Sequence, residues 1–389
     1  SATRIGEDGY IKKGYENLLL QSNAFSTSPW ILSGGTLTSS QSGYDGSSDA
    51  WLLESTNTGQ TYLNQSISQG GVQTFSVYLK KGTTNFATIL VRLGASYTIY
   101  IDLTDGSYSN PSFLFDEINI ENVGNDWWRV KLRYNASVEF IRIFAADALS
   151  SFDSQVGDNI YIQDAQLNQG LVAYPYLETT TAPAQGGLLE NSPRLDWGNG
   201  VPSVLVEEGR TNLFPNSEYF GSYSNSNSTD EANATISPEG IINATSFLET
   251  STTGEHIIGL SVPFDGSSTY TFSIFAKHNG RDLFIDSSSG PRWEGRAWFD
   301  LTTGTANAII GTASIEDYGN GWYRCVVTGL STLQGIRDIQ IITSDGLDNT
   351  TIGDVTKGVY IYGAQVEQYA TTPSSYIPTY GTSQTRSNE

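Results

Sequence analysis

Hydrophobic and polar positions alternate along short stretches of this chain. Thr74-Phe75-Ser76-Val77-Tyr78-Leu79, Tyr97-Thr98-Ile99-Tyr100-Ile101 and Trp128-Arg129-Val130-Lys131-Leu132-Arg133 each repeat with a period of two. That is the pattern of a strand with one face buried. Phe140-Ile141-Arg142-Ile143-Phe144 and Ile160-Tyr161-Ile162 read the same way. Turn chemistry separates these segments: Ser33-Gly34-Gly35, Tyr44-Asp45-Gly46, Gln69-Gly70-Gly71, Lys81-Gly82-Thr83 and Thr104-Asp105-Gly106. Glycine supplies positive φ there, and Asn or Asp bonds its own backbone. No long stretch carries apolar residues at the helical period. Short strands at this spacing, without helices, predict a double-sheet sandwich of the jelly-roll type.

The pattern occurs twice. Asn125-Asp126-Trp127-Trp128-Arg129-Val130 returns as Asn320-Gly321-Trp322-Tyr323-Arg324-Cys325, 195 positions further on. Asn17-Leu18-Leu19 and Ser22 correspond to Asn212-Leu213-Phe214 and Ser217. Thr74–Tyr78 with Lys80 corresponds to Thr271–Phe275 with Lys277, and Ile101–Thr104 with Gly106 to Phe299–Thr302 with Gly304. Tyr161-Ile162 with Ala165-Gln166-Leu167 corresponds to Tyr360-Ile361 with Ala364-Gln365-Val366. Offsets that drift by only a few residues mean that loops changed length while the framework stayed. The expected fold is all-β: two tandem jelly-roll β-sandwich domains joined by an ordered connector. The expected boundaries are 1–16 for an extended lead-in, 17–182 for the first sandwich, 183–211 for the connector, 212–382 for the second sandwich and 383–389 for a frayed polar tail.

Composition agrees with this. Of 389 residues, 12% are aromatic and 40 are glycine, which suits sheets and turns. The 41 acidic and 20 basic residues give a formal charge of −21. Such a surface repels phosphate backbones and anionic membranes, so no nucleic-acid partner is expected. No run of 18 apolar residues and no charged-then-apolar leader is seen, so neither membrane insertion nor a signal peptide is expected. Cys325, the one cysteine, stands where the first repeat has Val130 and reads as a buried strand residue. The chain has no methionine, which fits a processed product or a piece of something longer.

Catalytic machinery is sparse. His256 and His278 lie on separate segments without metal-ligand spacing, and neither a nucleophile elbow nor a phosphate loop is present. Trp127 and Trp322, with Arg129 and Arg324, sit at framework positions and read as core rather than as a sugar platform. Loop aromatics peculiar to one copy are the better ligand candidates: Trp30, Tyr44, Tyr97 and Tyr108 in the first, and Trp293 in the second. Each also reads as an ordinary, partly exposed aromatic. Asp45-Gly46-Ser47-Ser48-Asp49 is the one metal-like loop, with Asp45 and Asp49 as candidate ligands against the alternative of a plain turn.

Several stretches resemble a known family. Ala2-Thr3-Arg4-Ile5 with Gly9-Tyr10-Ile11 is similar to a lead-in common in phage tail-fibre and related virion proteins. So is the connector, Pro193-Arg194-Leu195-Asp196-Trp197 and Pro202-Ser203-Val204-Leu205-Val206-Glu207, followed by Arg210-Thr211-Asn212-Leu213. The sandwich bodies, closing on Tyr362-Gly363-Ala364-Gln365-Val366-Glu367 and Ser375-Tyr376-Ile377-Pro378-Thr379, resemble carbohydrate-binding-module-like jelly rolls. The resemblance implies a non-enzymatic fibre or surface protein of a virion, extracellular and homotrimeric, contacting host-surface glycans and other virion proteins. It also implies that a structural Ca²⁺ can accompany the fold; no other cofactor is expected. A binding appendage of a secreted polysaccharide-degrading enzyme and a purely architectural decoration are the other readings. Asp116-Glu117-Ile118-Asn119-Ile120-Glu121 resembles the catalytic strand of a jelly-roll family of retaining glycoside hydrolases, whose carboxylates act as nucleophile and acid/base. Asn119 replaces the central acid, and Glu121 matches Glu316 of the repeat, so catalysis is not expected.

Overall fold

The computed structural model describes residues 3–189, 193–198, 200–287 and 293–388. Residues 190–192 and 199 of the connector and Glu389 of the tail lie outside them. The chain divides into two compact units, Tyr15–Gly186 and a second formed by Ser1–Gly14 with Gly187–Glu389. Each contains one β-sandwich whose named strands pair antiparallel, as the alternating pattern predicts.

In the first unit, Val72–Lys81 lies between Trp127–Asn135 and Asn159–Gln169 in a six-stranded sheet. The facing sheet is built around Val138–Ala146, between Phe86–Leu93 and Gly59–Gln69. The second unit repeats both orders: Thr269–Asn279 lies between Trp322–Leu330 and Gly358–Gln368, and Gln334–Ser344 between Ile257–Asp265 and Asp282–Ser287. Inward residues of the alternating strands form one core per unit. Phe75, Val77, Leu79, Val130 and Leu132 belong to the first, and Phe272, Ile274, Cys325 and Val327 to the second.

The framework hydrogen bonds are duplicated too. Asn17 Nδ2 donates to Leu177 O at 2.9 Å and Asn212 Nδ2 to Ile377 O at 2.8 Å. The Ser22 and Tyr176 hydroxyls meet at 2.7 Å, and those of Ser217 and Tyr376 at 2.6 Å. Both Asn159–Gln169 and Gly358–Gln368 carry a bulge whose extra residue has positive φ, Asp164 at 54° and Gly363 at 62°. A bulge of this kind re-aims one side chain out of the ladder.

The segments outside the sandwiches are also ordered. Thr3–Ile5 pairs with Ile11–Asn17 as a hairpin in which Ile5 faces Ile11 and Thr3 faces Lys13. Up to Gly14 this lead-in belongs to the second unit, although the whole of Tyr15–Gly186 separates them in sequence. In the connector, Arg194–Asp196 pairs with Ser203–Leu205. In the tail, expected to fray, Gln384–Arg386 pairs with Arg210–Asn212 and Arg386 is buried. Among the described residues no helix is long and apolar enough to cross a membrane.

Candidate functional site

The aromatics singled out in the sequence do not converge. Trp30 and Trp293 are buried, each in its unit's core, where apolar neighbours cover their faces. Trp30 stands edge-on to Phe25 at 5.2 Å, and Trp293 stacks with Phe264 at 6.4 Å. Neither therefore offers a ring to a ligand, which corrects the expectation of loop platforms. Tyr97 is half-buried against Phe115. Tyr108 is exposed on a two-residue edge strand, near Phe113, whose 87% exposure no sequence signal had marked.

Tyr44, Asp45 and Asp49 do lie together. Tyr44 stacks on Tyr78 with ring centroids 3.7 Å apart. Asp45 Oδ1 accepts the Ser47 amide at 3.0 Å, and the Ser47 hydroxyl donates to Asp49. Gln163 Nε2 donates to Asp49 Oδ1 at 2.7 Å. The bond from Ser47 and the amide bonds hold the Asp45 carboxyl below its ordinary value against slight burial. Amide and hydroxyl donors thus fill the positions a calcium ion needs for oxygen ligands. Among the described residues no group of three or more His, Cys, Asp or Glu side chains is arranged to hold a metal. The loop fits a hydrogen-bonded turn and does not fit a calcium cage.

Framework residues behave as the repeat implies. Trp127 and Trp322 are 1% and 2% exposed. Arg129 donates to Tyr174 O at 2.7 Å and Arg324 to Ser374 O at 2.8 Å. Glu117 pairs with Arg133 at 2.8 Å and Glu121 with Lys131 at 2.6 Å, so cross-strand cations engage both carboxylates of the hydrolase-like strand.

A concave site lies elsewhere, in the second unit. A cleft of about 610 Å³ is lined by the lead-in (Arg4, Ile5), the connector (Asp196, Trp197), the turn before Trp322 (Glu316, Tyr318) and the segment ending at Tyr376. That volume is within the range of small-molecule sites. Its walls are fixed by buried polar bonds. Arg194 donates to Thr3 O at 2.7 Å and to Glu207 Oε2 at 2.8 Å, and Arg386 reaches the same Glu207 oxygen at 3.0 Å. Burial opposes the charge on Glu207, but bonds from Ser375 and the two arginines hold its carboxyl below the ordinary value. Asp196 accepts the Ile5 amide at 2.7 Å and the Gly198 amide at 2.9 Å, which sets the chain on either side of Trp197.

Two half-buried rings, Trp197 and Tyr318, line this cleft. Tyr318 stands edge-on to Phe275 at 4.9 Å, and burial raises its hydroxyl above the ordinary phenol value against the pull of Arg324. Nε of both Arg4 and Arg324 is buried without a hydrogen-bond partner among the described residues. Exposed Glu316 and Asp317 add acceptors at the rim. Rings and rim acceptors together can cover an apolar face of a ligand and accept from its hydroxyls. Alternation along the connector was legible in the sequence; its closure onto the lead-in and Tyr318 was not, because partners so far apart leave no local signal.

No family model matches the chain, and no curated protein matches it. Among solved structures it is similar to tandem CBM51 modules of a family 98 glycoside hydrolase from Streptococcus pneumoniae. That match has 10% identity, covers 94% of this chain and 96% of that one, and has a TM-score of 0.22. The extracellular domain of ANXUR2 from Arabidopsis thaliana aligns at 10% identity over 88% of this chain and 97% of that one, with a TM-score of 0.19. A mutant of Bacillus subtilis oxalate decarboxylase OxdC aligns at 10% identity over 91% and 78%, with a TM-score of 0.10. Likenesses this weak assign neither a family nor a ligand.

Proposed function

We propose that this chain is a non-enzymatic, glycan-binding surface protein, and that the Trp197–Tyr318 cleft is its sugar site. The observation that carries the reading is the cleft's composition. Aromatic walls would exclude water from the C–H face of a pyranose, while the rim carboxylates of Glu316 and Asp317 would accept from its hydroxyls. The formal charge of −21 favours a neutral ligand over a sulfated or phosphorylated one. The likeness of lead-in and connector to phage tail-fibre segments supports a place on a virion surface, outside the host cell. A homotrimer carrying several such clefts would turn weak single-site binding into firm attachment. A glycan array probed with the full chain tests this. Binding to neutral glycans that Trp197→Ala weakens about tenfold or more is expected; no bound glycan, or binding indifferent to Trp197, would refute it.

A further inference from the structure

The lead-in ends on a buried lysine. Lys13, 7% exposed, places Nζ 2.5 Å from Glu239 Oε1 and 2.7 and 2.9 Å from the two carboxylate oxygens of Glu218. Both acids are buried as well, Glu218 at 1% and Glu239 at 8% exposed. The Tyr362 hydroxyl donates to Glu239 Oε1, and Asn243 Nδ2 donates to Glu239 Oε2 at 3.2 Å. The hydroxyls of Tyr376 and Tyr380 donate to Glu218 Oε1 at 3.1 and 3.2 Å. Tyr362 and Tyr376 belong to a buried cluster with Ile11, Phe275 and Trp322, so the group sits against apolar surface.

The sandwich itself does not require this group, because the first unit is built without it. Asn23 follows Ser22 where Glu218 follows Ser217. The turn 43–47, in which Gly43 N donates to Ser47 O at 3.0 Å, matches the turn 237–241, in which Ser237 N donates to Ile241 O at 2.9 Å. Asp45 thus holds the place of Glu239, and Gln163, one residue before the bulge at Asp164, holds that of Tyr362. A buried lysine between two glutamates is therefore an addition of the second unit to the shared framework.

Ionised throughout, the three groups would carry one uncompensated negative charge in a buried place, which is costly. Burial, first, and the charge of Glu218 raise the Glu239 carboxyl above its ordinary value, against the pull of the Lys13 ammonium. Glu239 accordingly holds a proton while Glu218 balances Lys13. A neutral carboxylic acid beside an amine whose proton has an acceptor is the starting arrangement for amide formation. The distance suits it too. Nζ lies 2.5 Å from Glu239 Oε1, and a C–O bond of about 1.2 Å puts Cδ within about 3.7 Å of it. That is close to the separation of a near-attack arrangement.

We propose that Lys13 Nζ and Glu239 Cδ join as an isopeptide bond, formed by the folded chain itself with Glu218 as the base. The ammonium gives one proton to Glu218. The freed lone pair of Nζ attacks Cδ, and the C=O pair moves onto Oε1, where the Tyr362 hydroxyl stabilises it. When that pair returns, the bond to Oε2 breaks, and Oε2 leaves with its own hydrogen and a second proton from Nζ, as water. The amide keeps the third hydrogen of Nζ, and Glu218 keeps the first proton. A buried ion pair thus becomes a group without charge, and the fold has already removed the entropy that opposes joining two separate groups. The bond fixes the lead-in to the second unit and encloses Tyr15–Gly186 in a covalent loop, a closure that a chain with one cysteine cannot make by a disulfide.

Intact-mass spectrometry of the full chain tests this. The mass should lie about 18 Da below that of the sequence, the loss of one water, and digestion should give a branched peptide joining Lys13 to Glu239. Lys13→Arg, whose guanidinium stays protonated, should show the full mass. Glu218→Gln removes the base and should slow bond formation after refolding about a hundredfold or more. The parent's mass decides the matter even where a variant fails to fold. A parent at full mass would overturn the proposal. So would a water loss that maps to an aspartyl succinimide, as at Asp45-Gly46, or to Glu218 in place of Glu239.

Discussion

Removing the charge of Asp164 should stabilise the first unit, and by an amount that depends on pH. Burial, first, and the neighbouring carboxylates Asp49, Asp45 and Glu178 push its carboxyl up to about 7, against the bond from Tyr44. In the unfolded chain it titrates near 3.8. The native state therefore holds this proton more tightly than the unfolded state does. The stabilisation is fully present below about pH 4 and is lost as pH rises to about 7. A shift of about three pH units corresponds to at most about 4 kcal/mol, and relaxation around the pocket lowers that figure. Asp164→Asn removes the titration, keeps an acceptor for Tyr44 and adds donors toward Asp45 and Asp49. The variant should gain about 2–4 kcal/mol over the parent at pH 8 and little at pH 4. Urea unfolding at both pH values, followed by hydrogen exchange of Asn159–Gln169, isolates the first unit. An equal effect at both pH values, or a loss of stability at pH 8, would refute the placement of an unpaired carboxylate here.

Lys13→Met leaves Glu218 and Glu239 buried without their cation and should cost the second unit about 3–5 kcal/mol; urea unfolding measures it, and a cost below about 1 kcal/mol would mean that the lead-in is dispensable. Trp322→Ala removes a buried ring whose Nε1 donates to Ile236 O at 3.0 Å and should cost about 3–5 kcal/mol. Calorimetry with an unchanged transition would contradict its core role.

Alternation and duplication made the sandwich fold legible before any coordinate, because strand period and turn chemistry act over a few residues. The same reasoning placed Trp127, Trp322 and Cys325 in the interior. It failed for Trp30 and Trp293, since local pattern does not say which distant strands will close over a loop ring. It read an extended lead-in but not which unit it joins. Ile11 and Lys13 alternate like any strand, but their partners Glu218, Glu239 and Tyr362 lie more than 200 residues away. An acid without its cation is likewise invisible until the fold gathers Asp45, Asp49 and Asp164. Comparing the repeats could have pointed to it, since Asp164 replaces the glycine found at Gly363.

The central claim is that the Trp197–Tyr318 cleft binds a glycan. Calorimetric titration of the strongest array glycan into the full chain and into Trp197→Ala tests it most directly. Trp197 is half-buried and its amide, which donates to Ile5 O at 3.1 Å, survives the substitution. The melting temperature should therefore stay put while affinity falls about tenfold or more, the equivalent of about 1.4 kcal/mol. Unchanged affinity in a folded variant would contradict the account.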